Sequence, residues 1–518
     1  STNGTRFATI ANSTNTTSSS YKILDLPSVP DLRIRVTFLS NNGNEIWVID
    51  NINIKGQLPL NTTWDGTNWL SGSPTTSTKA IINGNYNTLT NGSIQACECQ
   101  LNSPYTLTVD ATSLSKTFVE SQGKIDNNGS IIVADGSSIV QVNDEAINTG
   151  NGTYTINKTS TPYVQYDYTF WSSPIVGETI GSVFAANPSN RRYSFDTSKF
   201  LDLYSYKTII GDTGFPQLQG VPDSFDDNGN DWIHETATNI VTPGRGYSVM
   251  GPTAAGPTGQ SVIFNASGAA GKLNTGLVNV NVSQDLYNAS SMNVSPAANA
   301  AHTNNNLIGN PYASSIDLVE LKADNSILTG TFYFWTHKTA ISTSNPGPWL
   351  YNFSNDDYVT YTVGTGGSAS SCSGCPIPDQ YVDSCQGFYA NVTGNGTVTF
   401  NNSQRVTGNN NAFYRNASNN NDKIWLNFNA STGESRQILV GFLEGAEDDY
   451  NPYYDGARLE NGKNFDFFSF IPTNADMRLA VQGLSSFDSG KIVPLGVEIT
   501  QAGTHSISIN NTEGVFEN

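Results

Sequence analysis

The 518-residue sequence is poor in the side chains most enzymes depend on, with four histidines, three methionines and five cysteines. Histidine is the residue that most readily moves protons near neutral pH. His234, His302, His337 and His505 are scattered, and none falls in an H-E-x-x-H metal spacing. Only His234 has an acid beside it, Glu235, and a Gly-x-Ser-x-Gly elbow is missing. Paired carboxylates for glycoside hydrolysis stay open, because they need only meet in the fold. Charge is scarce too: 13% of residues are charged, yet the net charge is −19. An acidic surface of this kind repels nucleic acid and anionic membranes. No apolar run approaches the roughly 18 residues that cross a bilayer. Ser1 opens the chain without a methionine or an apolar leader. Together with abrupt ends, this leads to the expectation of an internal piece of a longer exported protein.

Asn, Ser, Thr and Gly carry the polarity in place of Lys and Glu. Short runs rich in Val, Ile, Thr, Tyr and Phe alternate with Gly, Asn and Asp turns, a pattern of strands. One helix of two turns is expected over Ser315–Lys322. The fold class is therefore all-β.

A motif set occurs twice. Phe170-Trp171-Ser172-Ser173-Pro174-Ile175 returns as Leu307-Ile308-Gly309-Asn310-Pro311-Tyr312, and Gly244-Arg245-Gly246-Tyr247 as Cys385-Gln386-Gly387-Phe388. Val262-Ile263-Phe264-Asn265 returns as Val398-Thr399-Phe400-Asn401. The offsets are 137 (Pro174 to Pro311), 141 (Gly246 to Gly387) and 136 residues (Phe264 to Phe400), so a β unit has been duplicated.

Five segments follow. Residues 1–58 read as the close of a jelly-roll-like sandwich. Residues 59–160 carry apolar runs spaced about 20–25 residues apart after Gly or Asn turns, which suits a short parallel β-helix. Residues 161–290 and 291–408 are β-sandwich repeats 1 and 2, and residues 409–518 form a terminal β-sandwich module that lacks its last strands. Trp171, Trp232, Trp335, Trp349, Tyr204, Tyr206, Tyr333, Phe334 and Tyr351 supply the bulk of the repeats. Core packing is their expected role; an exposed aromatic row would instead stack on sugars.

Two further clusters bear chemistry. Asp223, Asp226, Asp227, Asn228, Asn230 and Asp231 gather short oxygen-bearing side chains around Gly229, as calcium favours, although a solvated turn explains them as well. Glu444, Glu447, Asp448, Asp449 and Asp455 form a second acidic run. Cys372, Cys375 and Cys385 offer three thiols where zinc needs four ligands, so a disulfide among them is the expectation. An odd cysteine count leaves one thiol over. No other cofactor is called for.

The order Trp64…Trp69, Trp171-Ser172-Ser173-Pro174, Gly309-Asn310-Pro311-Tyr312, Gln386-Gly387-Phe388 and Phe413-Tyr414-Arg415 resembles large cell-surface proteins of gliding and related Bacteroidota. Gly441-Phe442-Leu443-Glu444-Gly445-Ala446, Tyr454-Asp455-Gly456 and Val493-Pro494-Leu495-Gly496 are similar to the module that precedes their sorting domain. The resemblance covers about residues 59–518. It implies export by type IX secretion, with the secretion machinery as a partner, and an extracellular or outer-surface location. It also implies a non-enzymatic adhesin, stalk or filament component, sometimes serving gliding motility, that contacts glycans or surfaces. The alternatives are an accessory region of an exported hydrolase, or a secretion substrate captured with its export machinery.

Overall fold

The computed structural model describes residues 60–112, 114–200, 231–252, 256–268, 272–284, 304–336, 339–343, 345, 351–354, 357–369, 377–410, 422–431, 433–459, 465–499 and 502–517. The jelly-roll remnant expected over 1–58 lies outside them.

Eleven strands wind a three-sided solenoid of about three turns. One wall contains β1 (Leu60–Trp64), β2 (Thr78–Ile82), β5 (Glu98–Leu101) and β8 (Ile125–Asn127). The second contains β3 (Tyr86–Asn87), β6 (Thr106–Val109), β9 (Ser130–Val133) and β11 (Thr153–Thr159). The third contains β4 (Ile94–Ala96), β7 (Phe118–Ser121) and β10 (Ser138–Gln141), and a single turn α1 (Thr88–Asn91) rounds one corner. All pairs within the walls are parallel, and every second side chain points inward. Stacking in register then builds columns such as Tyr86–Leu107–Ile131–Tyr154 and Ala80–Cys99–Ile125. Register partners on neighbouring coils lie between 18 residues (Leu60 to Thr78) and 26 residues (Cys99 to Ile125) apart, which is the spacing of the apolar runs. Trp64 packs on Trp69 and Tyr86 and seals the first coil.

The last coil is closed by the neighbouring unit. β11 pairs in parallel with β9 on one edge and antiparallel with β16 (Ser261–Ser267) on the other. An open solenoid edge would invite association with other chains, and this pairing removes it.

Repeat 1 continues with β12 (Tyr168–Trp171), α2 (Ile180–Val183), β13 (Arg192–Phe195), β14 (Trp232–His234) and β15 (Tyr247–Met250), sheet order β12-β15-β13-β14. Repeat 2 holds β17 (Val278–Val282), β18 (Asn305–Gly309), β19 (Ser315–Asp317), α3 (Leu318–Asp324), β20 (Leu328–Trp335), β21 (Tyr358–Thr362), β22 (Gly366–Ser368), β23 (Tyr381–Val382), β24 (Gly387–Val392), β25 (Gly396–Phe400) and β26 (Arg405–Val406). Its main sheet runs β18-β24-β20-β21-β22, the same order with one strand added. The β11–β16 pair likewise has its counterpart in the antiparallel β17–β25 pair. The duplication is therefore topological as well as sequential. Its first unit starts at β11, within the solenoid, and its second at β17, both ahead of the starts at residues 161 and 291 that the sequence pattern suggests. The expected helix is also shorter: Ser315–Asp317 is a strand, and Asp317 caps α3 by accepting the Val319 N–H at 2.8 Å.

The terminal module is a sheet of β27 (Asp422–Asn429), β28 (Ser435–Phe442), β29 (Gly456–Ala457), β30 (Asp466–Ile471), β31 (Asn474–Leu484), β32 (Leu495–Glu498) and β33 (Ser506–Glu513). Tyr453 and Tyr454 press its 451–457 loop against Gly364, and Thr365 donates to the Tyr454 carbonyl at 2.7 Å.

Both echoed glycines have a steric reason. A Cβ on Gly246 would meet the Ile308 carbonyl oxygen at 2.7 Å, and one on Gly387 would meet the Phe170 carbonyl carbon at 3.0 Å. Gly246→Ala and Gly387→Ala are each expected to destabilise the protein by about 1–3 kcal/mol. Gly408→Ala, with open space around it, is expected to be neutral. Urea unfolding of the three variants checks this, and equal midpoints would refute the close crossing.

Candidate functional site: the joint between the repeats

The echoed motifs meet one another. Trp171 bridges to Gln386, and Ile308 bridges to Arg245. In the repeat alignment Trp171 corresponds to Ile308, and Gln386 to Arg245, so the two bridges are equivalent contacts made in opposite directions. The Ser172 N–H donates to the Cys385 carbonyl at 2.8 Å, and its counterpart, Gly309 N–H, to the Gly244 carbonyl at 2.9 Å. This reciprocity is that of a local two-fold axis, as in an isologous dimer. Gly244 has φ 77° and Cys385 φ 65°, so the same left-handed position is filled by glycine in one repeat and cysteine in the other.

The Ser-Pro and Asn-Pro echoes are matching turns. Ser173 Oγ accepts the Ile175 N–H at 3.2 Å, and Asn310 Oδ1 accepts the Tyr312 N–H at 3.0 Å. Asn310 Nδ2 also donates to the carbonyls of Ser314, Val382 and Asp383, while Asn274 Nδ2 joins the Ser173 and Pro311 carbonyls across the repeats. One apolar core runs from Trp64 in the solenoid through Ile156 and Trp171 to Cys385 in repeat 2.

Titratable groups are buried at this joint. Lys158 on β11 lies 3.0 Å from Asp135 of the solenoid and 3.7 Å from Asp383 of repeat 2. Burial lowers the Lys158 pKa, but the two carboxylates outweigh it and hold the net shift upward. Burial pushes the Asp383 acid up to about 7, with Lys158 opposing. It also pushes the Cys385 thiol up to about 12, which makes this thiol unreactive. Glu178 rises to about 7 through burial, against the Asn265 N–H that donates to its Oε1 at 2.5 Å. Its Oε2 is buried and finds no hydrogen-bond partner among the described residues.

Aromatic rings fill the opposite side of the joint. Phe170, Tyr333, Trp335 and Tyr389 are buried together, with Phe195, Trp232 and Tyr358 half-buried against them. Trp335 Nε1 donates to Asp167 Oδ1 across the repeats at 3.0 Å. The cluster reaches the surface as a row: Phe353, 37% exposed, packs on Tyr168 at 5.6 Å between ring centres. Tyr168 lies 6.2 Å from Tyr193, and Tyr193 lies 5.9 Å from the exposed His234. Tyr351, two residues from Phe353, is 56% exposed.

The sequence-predicted sites fare differently. Asp223, Asp226, Asp227, Asn228 and Asn230 lie outside the described residues. Asp231 is buried and accepts the Trp232 N–H at 2.9 Å. The second acidic run does not converge: Asp448 pairs with Lys491 at 2.6 Å, whereas Asp455 is buried on the N–H groups of Asn451 and Gly483. Among the described residues no group of three or more His, Cys, Asp or Glu is placed to hold a metal. Cys385 is a buried free thiol beside Ser384, while Cys372 and Cys375, its expected disulfide partners, lie outside the described residues. Cys97 and Cys99 are likewise free and buried in the solenoid. Trp171, Tyr333, Phe334 and Trp335 are core, as expected, while Tyr204, Tyr206 and Trp349 lie outside the described residues. A cleft of about 40 Å³ between Tyr361, Asp379, Lys423 and Trp425 has room for little more than water.

Sequence reasoning passed over Lys158 and Glu178. The signal for Lys158 was present: in Tyr154-Thr155-Ile156-Asn157-Lys158 it occupies the inward-facing phase of the strand.

The profile of a protein family, Domain of unknown function (DUF8693), matches residues 55–518, and the chain belongs to that family. No curated protein and no solved structure matches the chain.

Because Glu178 is harder to ionise when folded, the native state holds more protons than the unfolded chain between about pH 4.5 and 7. Its contribution to stability therefore falls as pH rises through that window. Glu178→Gln, which has no charge to bury, is expected to gain about 1–3 kcal/mol on the native protein across the same window. Parallel pH–stability curves for the two proteins would contradict the assignment.

Proposed function

We propose that this member of the DUF8693 family is a non-enzymatic surface scaffold, an adhesin or stalk component that reaches the cell exterior by type IX secretion. The observation that supports it is the shared strand β11, hydrogen-bonded to the solenoid on one edge and to repeat 1 on the other. A unit built this way resists bending between its parts, which serves presentation better than it serves a catalytic cycle that opens and closes. The contact surface in this reading is the aromatic row Phe353, Tyr168, Tyr193 and His234. Flat, amphipathic rings held at the surface stack on the apolar faces of sugars, and many weak contacts add up when copies are displayed together.

Binding of the whole chain to a glycan array, and to intact cells, tests the proposal. Tyr193→Ala and Phe353→Ala are expected to weaken sugar binding at least tenfold while leaving the melting temperature within a few degrees, since both rings are part-exposed. Binding that persists unchanged in both variants would exclude this surface. Hydrolysis of a bound polysaccharide by the purified chain would overturn the non-enzymatic reading.

A further inference from the structure

Lys158 stands where an apolar side chain belongs. The inward positions of β11 are Tyr154, Ile156 and Lys158, and all three are buried. Burying a lysine is costly unless its charge is fully compensated. The compensation here comes from two carboxylates in unlike settings. Asp135 approaches Nζ at 3.0 Å from the solvent side and is 39% exposed. Asp383, 2% exposed like Lys158, faces Nζ from within at 3.7 Å. Among the described residues, the other donor to the Asp383 carboxyl is the Ser315 hydroxyl, at a long 3.5 Å. A buried carboxylate with so few donors is poorly held as an anion, and burial accordingly drives it towards the neutral acid.

We propose that Lys158 and Asp383 are joined by an intramolecular amide bond between Nζ and Cγ, formed in the folded protein with Asp135 as proton carrier. A proton passes from the ammonium to Asp383, giving the neutral amine and neutral acid that condensation requires. Nζ attacks Cγ, and the C–N bond forms. The C–OH bond breaks, and the hydroxyl takes the second Nζ proton, relayed by Asp135, to leave as water. Nothing is oxidised or reduced. The fold fixes the two groups beside each other, which removes the entropic barrier to condensation. The partly exposed Asp135 marks the side from which water escapes. The bond ties the strand common to the solenoid and repeat 1 to the segment just before β24 of repeat 2.

Intact mass of the full chain under denaturing conditions is the test. The native protein is expected to be lighter than its sequence by one water. A tryptic digest should give a branched peptide joining Lys158 to Asp383, with no cleavage after Lys158. Lys158→Arg keeps the positive charge but has no amine to condense, and it should return to the sequence mass; Asp383→Ala should do the same. A native mass equal to the sequence mass overturns the proposal. So does a deficit that persists in Lys158→Arg, since dehydration at some other aspartate would then account for it.

Discussion

The hydrogen bonding of β11 on both edges is the constraint from which the rest of the architecture follows. A parallel solenoid grows by adding coils, and each new coil exposes another edge. Residues Thr153–Thr159 end that growth by offering their free edge to β16, a strand far downstream in the chain. The antiparallel pair places Val262 and Phe264 over the end of the solenoid, so one apolar cluster continues from the solenoid into repeat 1. The domain boundary in the sequence has no counterpart in the packing.

Repeat 2 is then positioned by reciprocity. The crossing of β12 with the start of β24, and of β15 with the end of β18, brings backbone to backbone, and this approach is possible only where Gly246 and Gly387 lack side chains. Buried polar groups settle into the remaining space. Asn310 and Asn274 each donate to buried backbone carbonyls, and Lys158 meets Asp135 of the solenoid and Asp383 of repeat 2. Such groups add specificity of docking, since each has its partners in only one arrangement.

Much of this was legible in the sequence. The apolar runs of residues 59–160 recur because successive coils must stack inward residues in register, and the echoed Gly, Pro and Phe positions recur because equivalent turns and crossings impose them. The duplication was visible for the same reason. What could not be read was the double duty of β11. Its alternation satisfies a solenoid wall and a sandwich strand equally, so periodicity cannot say that it is both. The aromatic row was ambiguous for a similar reason: Phe170 and Tyr168 sit on one face of one strand, one in the core and one nearer the surface.

The two-fold relation between the repeats also speaks to descent. Contacts that run from each half to the other in equivalent pairs are those of a homodimer, in which one surface recognises a copy of itself. A chain with a single such unit would carry a self-complementary edge and would pair with a second molecule at sufficient concentration. Joining two copies in tandem makes that encounter intramolecular and independent of concentration. Once the halves are covalently linked, they are free to diverge. One half could then keep glycine at the left-handed position while the other acquired cysteine, and only one needed to retain the edge that closes the solenoid.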